Sequence, residues 1–268
     1  MTVAEWLTNT STQFAQAGIS AARLDAEIIL AHTLRKSRTW LHAHGDEELS
    51  PRLVEIADAR LDLRLDRTPI AYIIGHKEFY TRSFKVTPSV LIPRPESESL
   101  IELLKKHIPT DAKRLVDVGT GSGCLGVTAK LEFPELNVTL ADISRHALKV
   151  AESNATSLRA KVTLVQSNLL AQTPGIFDVI IANLPYVDED WERSPETDKE
   201  PGLALFADNN GLALIEQLLA QLPEILSPSG LVLLEADPYQ HEAIITQCAK
   251  LGLKHVETEG YAVALIKS

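Results

Sequence analysis

Leu115-Val116-Asp117-Val118-Gly119-Thr120-Gly121-Ser122-Gly123 carries an apolar strand straight into a run in which every second residue is glycine. A strand that breaks into glycines and continues as a helix, here over 124–132, brings backbone close to a ligand, because glycine tolerates left-handed turns and offers no Cβ. The spacing is GxGxG, since position 124 is Cys and not the glycine of a GxGxxG nicotinamide fingerprint. Asp117 stands two residues before the first glycine. A carboxylate there opposes a pyrophosphate at the helix N-terminus and suits a ligand with positive charge.

Outward from this loop the pattern alternates. Strands are predicted over 114–118, 137–141, 162–166, 178–182, 231–235, 254–257 and 262–266, with helices over 124–132, 144–158, 210–226 and 238–251. Alternation of this kind predicts an α/β domain with a mostly parallel sheet and helices on both faces. The last two strands are separated only by a turn containing Gly260, so the last strand is expected to be antiparallel. Asp142 closes the second strand, Val138-Thr139-Leu140-Ala141-Asp142, where a carboxylate can accept from both ribose hydroxyls of an adenosine. Gly119, Thr120, Gly121, Ser122 and Gly123, with Asp117 before them and Asp142 beyond, point to S-adenosylmethionine, which carries a sulfonium and an ammonium and no phosphate. Asn168 and Leu169 follow the third strand, where the adenine of such a ligand would lie.

A second stretch concerns the acceptor. Phe177-Asp178-Val179-Ile180-Ile181-Ala182 ends in Asn183-Leu184-Pro185-Tyr186. This tetrapeptide offers an amide that donates and accepts, a backbone carbonyl restrained by the following proline, and an aromatic face. Such a group can grip a planar amide or the amino group of a base.

Residues 1–75 read as a small all-α domain, with helix-period apolar residues over 21–34 and 53–65, the second opened by Ser50-Pro51 as cap and first turn. Residues 76–96 form a predicted hairpin, with Thr81-Arg82-Ser83 as its polar turn, and a stiff connector bearing Pro88, Pro93 and Pro95. The catalytic domain is expected over 97–268. Trp191 and the acidic stretch 188–201, with Asp188, Glu189, Asp190 and Glu192, read as a flap over the site or as solvated charge.

The chain has 268 residues, 45% of them apolar, and a formal net charge of −10. The apolar content supports a sizeable core, and the charge argues against binding driven by phosphate neutralisation. Cys124 and Cys248 are the two cysteines, far apart and outside any CxxC, so neither a disulfide framework nor a zinc site is expected and a reducing cytoplasm fits. No metal is called for. The first residues lack the basic and apolar blocks of a leader, and no run approaches the ~18 apolar residues of a membrane span.

Taken together, Gly75-His76-Lys77-Glu78-Phe79-Tyr80, Phe84-Lys85-Val86, Leu91-Ile92-Pro93-Arg94-Pro95-Glu96-Ser97-Glu98, the glycine loop, Asn183-Leu184-Pro185-Tyr186 and Glu200-Pro201 followed by Ala204-Leu205 resemble the release factor glutamine methyltransferases, the HemK or PrmC family. The resemblance spans nearly the whole chain. It implies a Rossmann-like class I methyltransferase sheet and methyl transfer from S-adenosylmethionine to the glutamine amide nitrogen of the Gly-Gly-Gln motif of peptide chain release factors. It also implies that the helical domain helps dock that protein. Gly119 to Gly123, Asp142 and Asn183 would then meet the cofactor, and Asn183, Leu184, Pro185 and Tyr186 the glutamine. The family commonly has proline at position 184 and an aromatic residue after the third strand, where this chain has Leu184 and Asn168-Leu169-Leu170. Arg94 and Glu96 read as structural, an ion pair holding the linker. The alternatives are a nucleic-acid adenine methyltransferase, a ribosomal-protein glutamine methyltransferase, a non-catalytic cofactor-binding protein and, more distantly, a nicotinamide oxidoreductase.

Overall fold

The computed structural model describes residues 1–188 and 190–267, so Glu189 of the acidic stretch lies outside the described residues. The chain divides into two compact units: residues 1–75 together with 194–199, and residues 76–193 together with 200–268.

The first unit is helical: α1 (Val3–Gln16), α2 (Ala22–Leu34), α3 (Arg38–Ala43), α4 (Pro51–Leu65) and α5 (Ile70–Ile74). The sequence reading found only α2 and α4. Yet α1 buries Val3, Trp6, Leu7, Thr10 and Phe14, a helical spacing, behind a capping box formed by Thr2 and Glu5. Trp6, Phe14, Ile29, Leu30 and Leu41 join one core. Arg64 donates to Asp25 at 2.8 Å, with both side chains largely buried. Segment 194–199 belongs to this unit because Glu196 accepts from Arg64 at 2.9 Å and Lys199 donates to Asp66 at 2.8 Å. The acidic stretch is therefore tied by ion pairs over part of its length.

The second unit begins with a hairpin of β1 (His76–Phe79) and β2 (Arg82–Lys85). Its turn is Tyr80-Thr81, not Thr81-Arg82-Ser83; both turn residues have positive φ, 49° and 61°, the geometry that matches strand twist in a two-residue turn. The hairpin and the proline-bearing stretch fall within this unit. Helix α6 (Glu98–His107) follows, absent from the sequence reading although Leu100, Ile101, Leu103 and Leu104 bury one face.

The sheet contains β3 (Arg114–Val118), β4 (Asn137–Asp142), β5 (Val162–Gln166), β6 (Phe177–Ala182), β7 (Leu226–Glu235), β8 (Leu253–Glu259) and β9 (Ala262–Lys267). The order is β5-β4-β3-β6-β7-β9-β8, with β9 antiparallel to both neighbours and the other pairings parallel. Helices α7 (Cys124–Glu132), α8 (Arg145–Ser157), α9 (Ala213–Ile225) and α10 (His241–Lys250) intervene. One apolar core, with Leu100, Val127 and Leu140, fills one face of the sheet, and another, with Ile215, Leu218 and Leu234, fills the opposite face.

Two helices start later than predicted. Asn209, Asn210 and Gly211 have φ of 57°, 51° and 79°, which delays α9 to Ala213. Pro238 opens a 3-10 turn capped by Asp237, so α10 begins at His241. Strand β7 also begins earlier, at Leu226, through Pro228 and a residue of positive φ, Ser229. Among the described residues no helix is long and apolar enough to cross a membrane.

The strand order reverses between β3 and β6. Such a switch point leaves a crevice outside the carboxyl ends of the two strands. Val118 is paired with Ala182, so Gly119 and Asn183 leave the sheet side by side.

Candidate active site

A cavity opens at that switch point. Gly119, Thr120, Gly121 and Ser122 line it from β3, Asp142 from β4, Asn168 and Leu169 from the segment after β5, and Asn183, Leu184 and Pro185 from the end of β6. Elements far apart in sequence are thus gathered by sheet register.

Three of the predicted residues are not part of the cavity wall. Asp117 is buried beneath the glycine loop, where Oδ2 accepts from Thr120 Oγ1 at 2.6 Å and Gly126 N at 2.9 Å, while Oδ1 has no partner. Burial, with a contribution from the Asp142 charge, pushes its carboxyl up to about 6. Gly123 has φ +82° and packs on α8: a Cβ there would meet Ala151 Cβ at 3.2 Å. Tyr186 points into the interior, its hydroxyl donating to Glu235 Oε1 at 3.1 Å.

The raised Asp117 value has a measurable consequence. Below the unfolded value near 3.8 both states are protonated; as pH rises to about 6 the unfolded chain releases its proton and the folded chain keeps it. Stability should therefore fall over that window and level off above it, by about 3 kcal/mol at roughly 1.4 kcal/mol per unit. In Asp117→Asn this component of the pH dependence should vanish, as urea unfolding from pH 3.5 to 7.5 would show; an identical slope in both proteins would refute the assignment.

Gly126, which the sequence reading passed over, is a fourth glycine of the loop region. A Cβ at this position would overlap the Leu140 side chain and stand 2.9 Å from Asp117 Cβ. Its signal was a glycine inside a helix, three residues after Gly123, where close approach to the sheet is the usual reason.

Asp142 is mostly buried, and burial raises its carboxyl. Oδ1 accepts from Ser144 N at 2.8 Å and Oδ2 from Gly121 N at 2.9 Å. It therefore joins the turn that leads into α8 to the glycine loop, while its carboxylate retains lone pairs facing the cavity. Leu169 adopts φ 51°, and Asn168 N is held by Gln172 Oε1 at 2.7 Å.

The tetrapeptide is held from several sides. Asn183 Nδ2 donates to Ser97 Oγ at 3.0 Å. The Leu184 side chain is buried and lies against the glycine loop, its Cδ2 at 2.9 Å from where a Gly119 Cβ would be. The Leu184 side chain therefore packs the tetrapeptide onto the loop. Gln240 Nε2 donates to Tyr186 O at 2.9 Å and to Asn210 O at 2.7 Å. Burial, followed by the nearby Glu235 charge, raises the Tyr186 phenol, which stays protonated as a donor. Glu235 itself escaped the sequence reading; its signal was one acid ending the apolar run Leu231-Val232-Leu233-Leu234.

The wall nearest the proline-bearing stretch is fastened by Glu200, not Glu96. Glu200 accepts from Arg94 Nη2 and from Ile92 N, the latter at 3.0 Å. Pro201, Leu203 and Ala204 then line the cavity. Cys124 also lines it, but burial and the Asp117 charge push its thiol up to about 12, so it is no thiolate nucleophile.

The family model described as PrmC N-terminal domain matches residues 5–75, and the one described as methyltransferase small domain matches residues 95–197. A release factor glutamine methyltransferase of Koribacter versatilis is 41% identical over 227 residues, covering 81% of each chain. The chain belongs to the release factor glutamine methyltransferase family. A member from Neisseria gonorrhoeae is 35% identical over 263 residues, covering 96% of this chain and 92% of that one. A methyltransferase structure from Pyrococcus furiosus, at 22% identity and a TM-score of 0.55, covers 79% of this chain and 98% of that one and shares the fold. As a member of the release factor glutamine methyltransferases, the protein is an S-adenosylmethionine-dependent methyltransferase acting on glutamine.

Proposed function

We propose that the chain methylates the side-chain amide nitrogen of the glutamine in the Gly-Gly-Gln motif of peptide chain release factors. The observation that carries this reading is the pairing of Val118 with Ala182, which sets the glycine loop beside Asn183-Leu184 at one cavity. A planar amide is what an amide oxygen and a neighbouring backbone carbonyl are suited to hold.

The residues present fit S-adenosylmethionine. Gly119 and Gly121 have φ of 69° and 54°, and Gly121 leaves room that a side chain would occupy. Asp142 supplies acceptors for ribose hydroxyls, and no basic side chain of the loop calls for a phosphate. The cofactor supplies an electrophilic methyl group on a sulfonium.

The protein's own part is positioning. An amide nitrogen is a weak nucleophile because its lone pair is delocalised. In our reading, Asn183 Oδ1 and the Leu184 carbonyl accept the two amide hydrogens, which stops rotation and raises electron density on nitrogen. Such near-attack placement accounts for much of the rate in reactions without covalent intermediates. Val90, Leu91 and Leu184 line the cavity and exclude water from a reaction in which charge is dispersed. Tyr186, with its hydroxyl buried against Glu235, supports the tetrapeptide from behind. The helical unit would dock the release factor.

Incubation with labelled cofactor and a release factor tests the reading. Label should enter the intact factor and not one whose Gly-Gly-Gln glutamine is alanine; equal labelling of both would refute it. Asp142→Ala should weaken cofactor binding by about 1 to 3 kcal/mol, the scale of a hydrogen bond to a charged group. Calorimetric titration with S-adenosylhomocysteine would measure this, and an unchanged affinity would remove Asp142 from the site.

A further inference from the structure

Behind the tetrapeptide stands a carboxylate with an unfilled hydrogen-bonding capacity. Glu235 ends β7 and is 2% exposed. Its Oε1 accepts from the Tyr186 hydroxyl, and its Oε2 is buried without a partner of hydrogen-bonding geometry. Glu235 is not part of the cavity wall, whereas Ser97 and Asn183 are. Burial raises the Glu235 carboxyl, while the polar groups of Ser97, Tyr186 and Asn183 nearby favour its ionised form.

The two ends of an asparagine amide are almost equal in shape, and the surrounding hydrogen bonds decide which way it turns. Asn183 turns Nδ2 toward Ser97 Oγ, at 3.0 Å, on the side where Glu235 lies. The Glu235 carboxyl faces that side as an acceptor, Oε1 already accepting from the Tyr186 hydroxyl, so it favours the amide NH2 over the amide oxygen. That leaves the oxygen on the other side of the amide of a residue that lines the cavity. With the opposite orientation Asn183 would present hydrogens to the hydrogens of a substrate amide, donor against donor.

We propose that Glu235 is a positioning residue for methyl transfer: acting through Ser97 and Tyr186, it holds the Asn183 amide with its oxygen facing the acceptor. The inference rests on the role given to Asn183 above. Glu235 does its part without touching substrate or cofactor.

The test uses the full-length enzyme, with kcat and KM for release factor and calorimetric affinity for S-adenosylhomocysteine. Glu235→Gln keeps the shape and an acceptor for Tyr186, but sets an NH2 group beside Asn183 and removes the bias. It should lower kcat by about 10- to 100-fold, since a displacement of about 1 Å at a reacting centre can cost about 100-fold. Cofactor affinity should stay within about twofold, and in an Asn183→Ala background the same change should cost nothing more, because both act through one group. Wild-type kcat in Glu235→Gln, or an equal fold loss in both backgrounds, would overturn the proposal. Should Glu235→Gln fail to fold, Ser97→Ala, which removes the intervening hydroxyl, should show the same loss and the same non-additivity; wild-type kcat there would overturn it equally. An active Asn183→Ala enzyme would defeat the reading of Asn183 itself, whereas an inactive Asn183→Ala beside a fully active Glu235→Gln would defeat the positioning role alone.

Discussion

Asn183→Ala should lower methyl transfer by about two to three orders of magnitude, the loss seen when one preorganised polar group at a reacting centre is removed. The side chain lies at the carboxyl end of β6 with Nδ2 bound to Ser97, so the fold does not depend on its oxygen. Truncation leaves Ser97 Oγ without that donor and opens a small space, a modest stability cost of about 1 kcal/mol. The glycine loop and Asp142 are held by backbone and by each other, through Gly121 N and Ser144 N, and do not rely on Asn183. Cofactor affinity should therefore fall far less than kcat. Single-turnover transfer to a release factor, beside calorimetric affinity for S-adenosylhomocysteine, separates the two; transfer within about threefold of the wild type would contradict the role of Asn183.

The largest structural effect is expected from Gly211→Ala. Gly211 has φ +79°, which costs a residue with a Cβ about 1 to 2 kcal/mol by itself. The new methyl would also overlap the Tyr186 carbonyl oxygen and stand 2.5 Å from Gln240 Nε2. Those atoms cannot move independently, because Gln240 bridges Tyr186 O and Asn210 O and is itself held by Asp237 N, which donates to its Oε1 at 3.0 Å. Strain and broken hydrogen bonds together should cost about 3 to 5 kcal/mol, the upper range for a single substitution. Urea unfolding would measure it, and transfer should fall as well, since the end of the tetrapeptide is displaced. A variant with wild-type midpoint and rate would show that the 209–211 turn can shift freely.

How much of this was legible beforehand varied from residue to residue. The glycine loop was readable because close approach of backbone requires glycine at fixed positions, and Gly119, Gly121 and Gly123 all have positive φ. Asn183 was readable because it closes an apolar run and is followed two residues later by a proline, which does not continue a central strand. Local chemistry of this kind survives in one dimension. Helix α1 was missed although its apolar spacing was present, and the hairpin turn was displaced by one residue because Tyr80 and Thr81 carry positive φ without glycine.

The alternating α/β plan, the loop, the strand-end acid and the tetrapeptide could be read along the chain, since each depends on the properties of adjacent residues. Which of these meet was set by packing between distant segments. Register across the sheet set Gly119 beside Asn183, put Leu184 against the loop, and sank Asp117, Gly123 and Tyr186 behind the cavity wall. It also brought Glu235, Gln240 and Gly211 to the back of the tetrapeptide, 25 to 54 residues from Tyr186 along the chain. Such contacts arise from strand pairing and close packing between distant segments, which leave no periodic mark on the residues that make them.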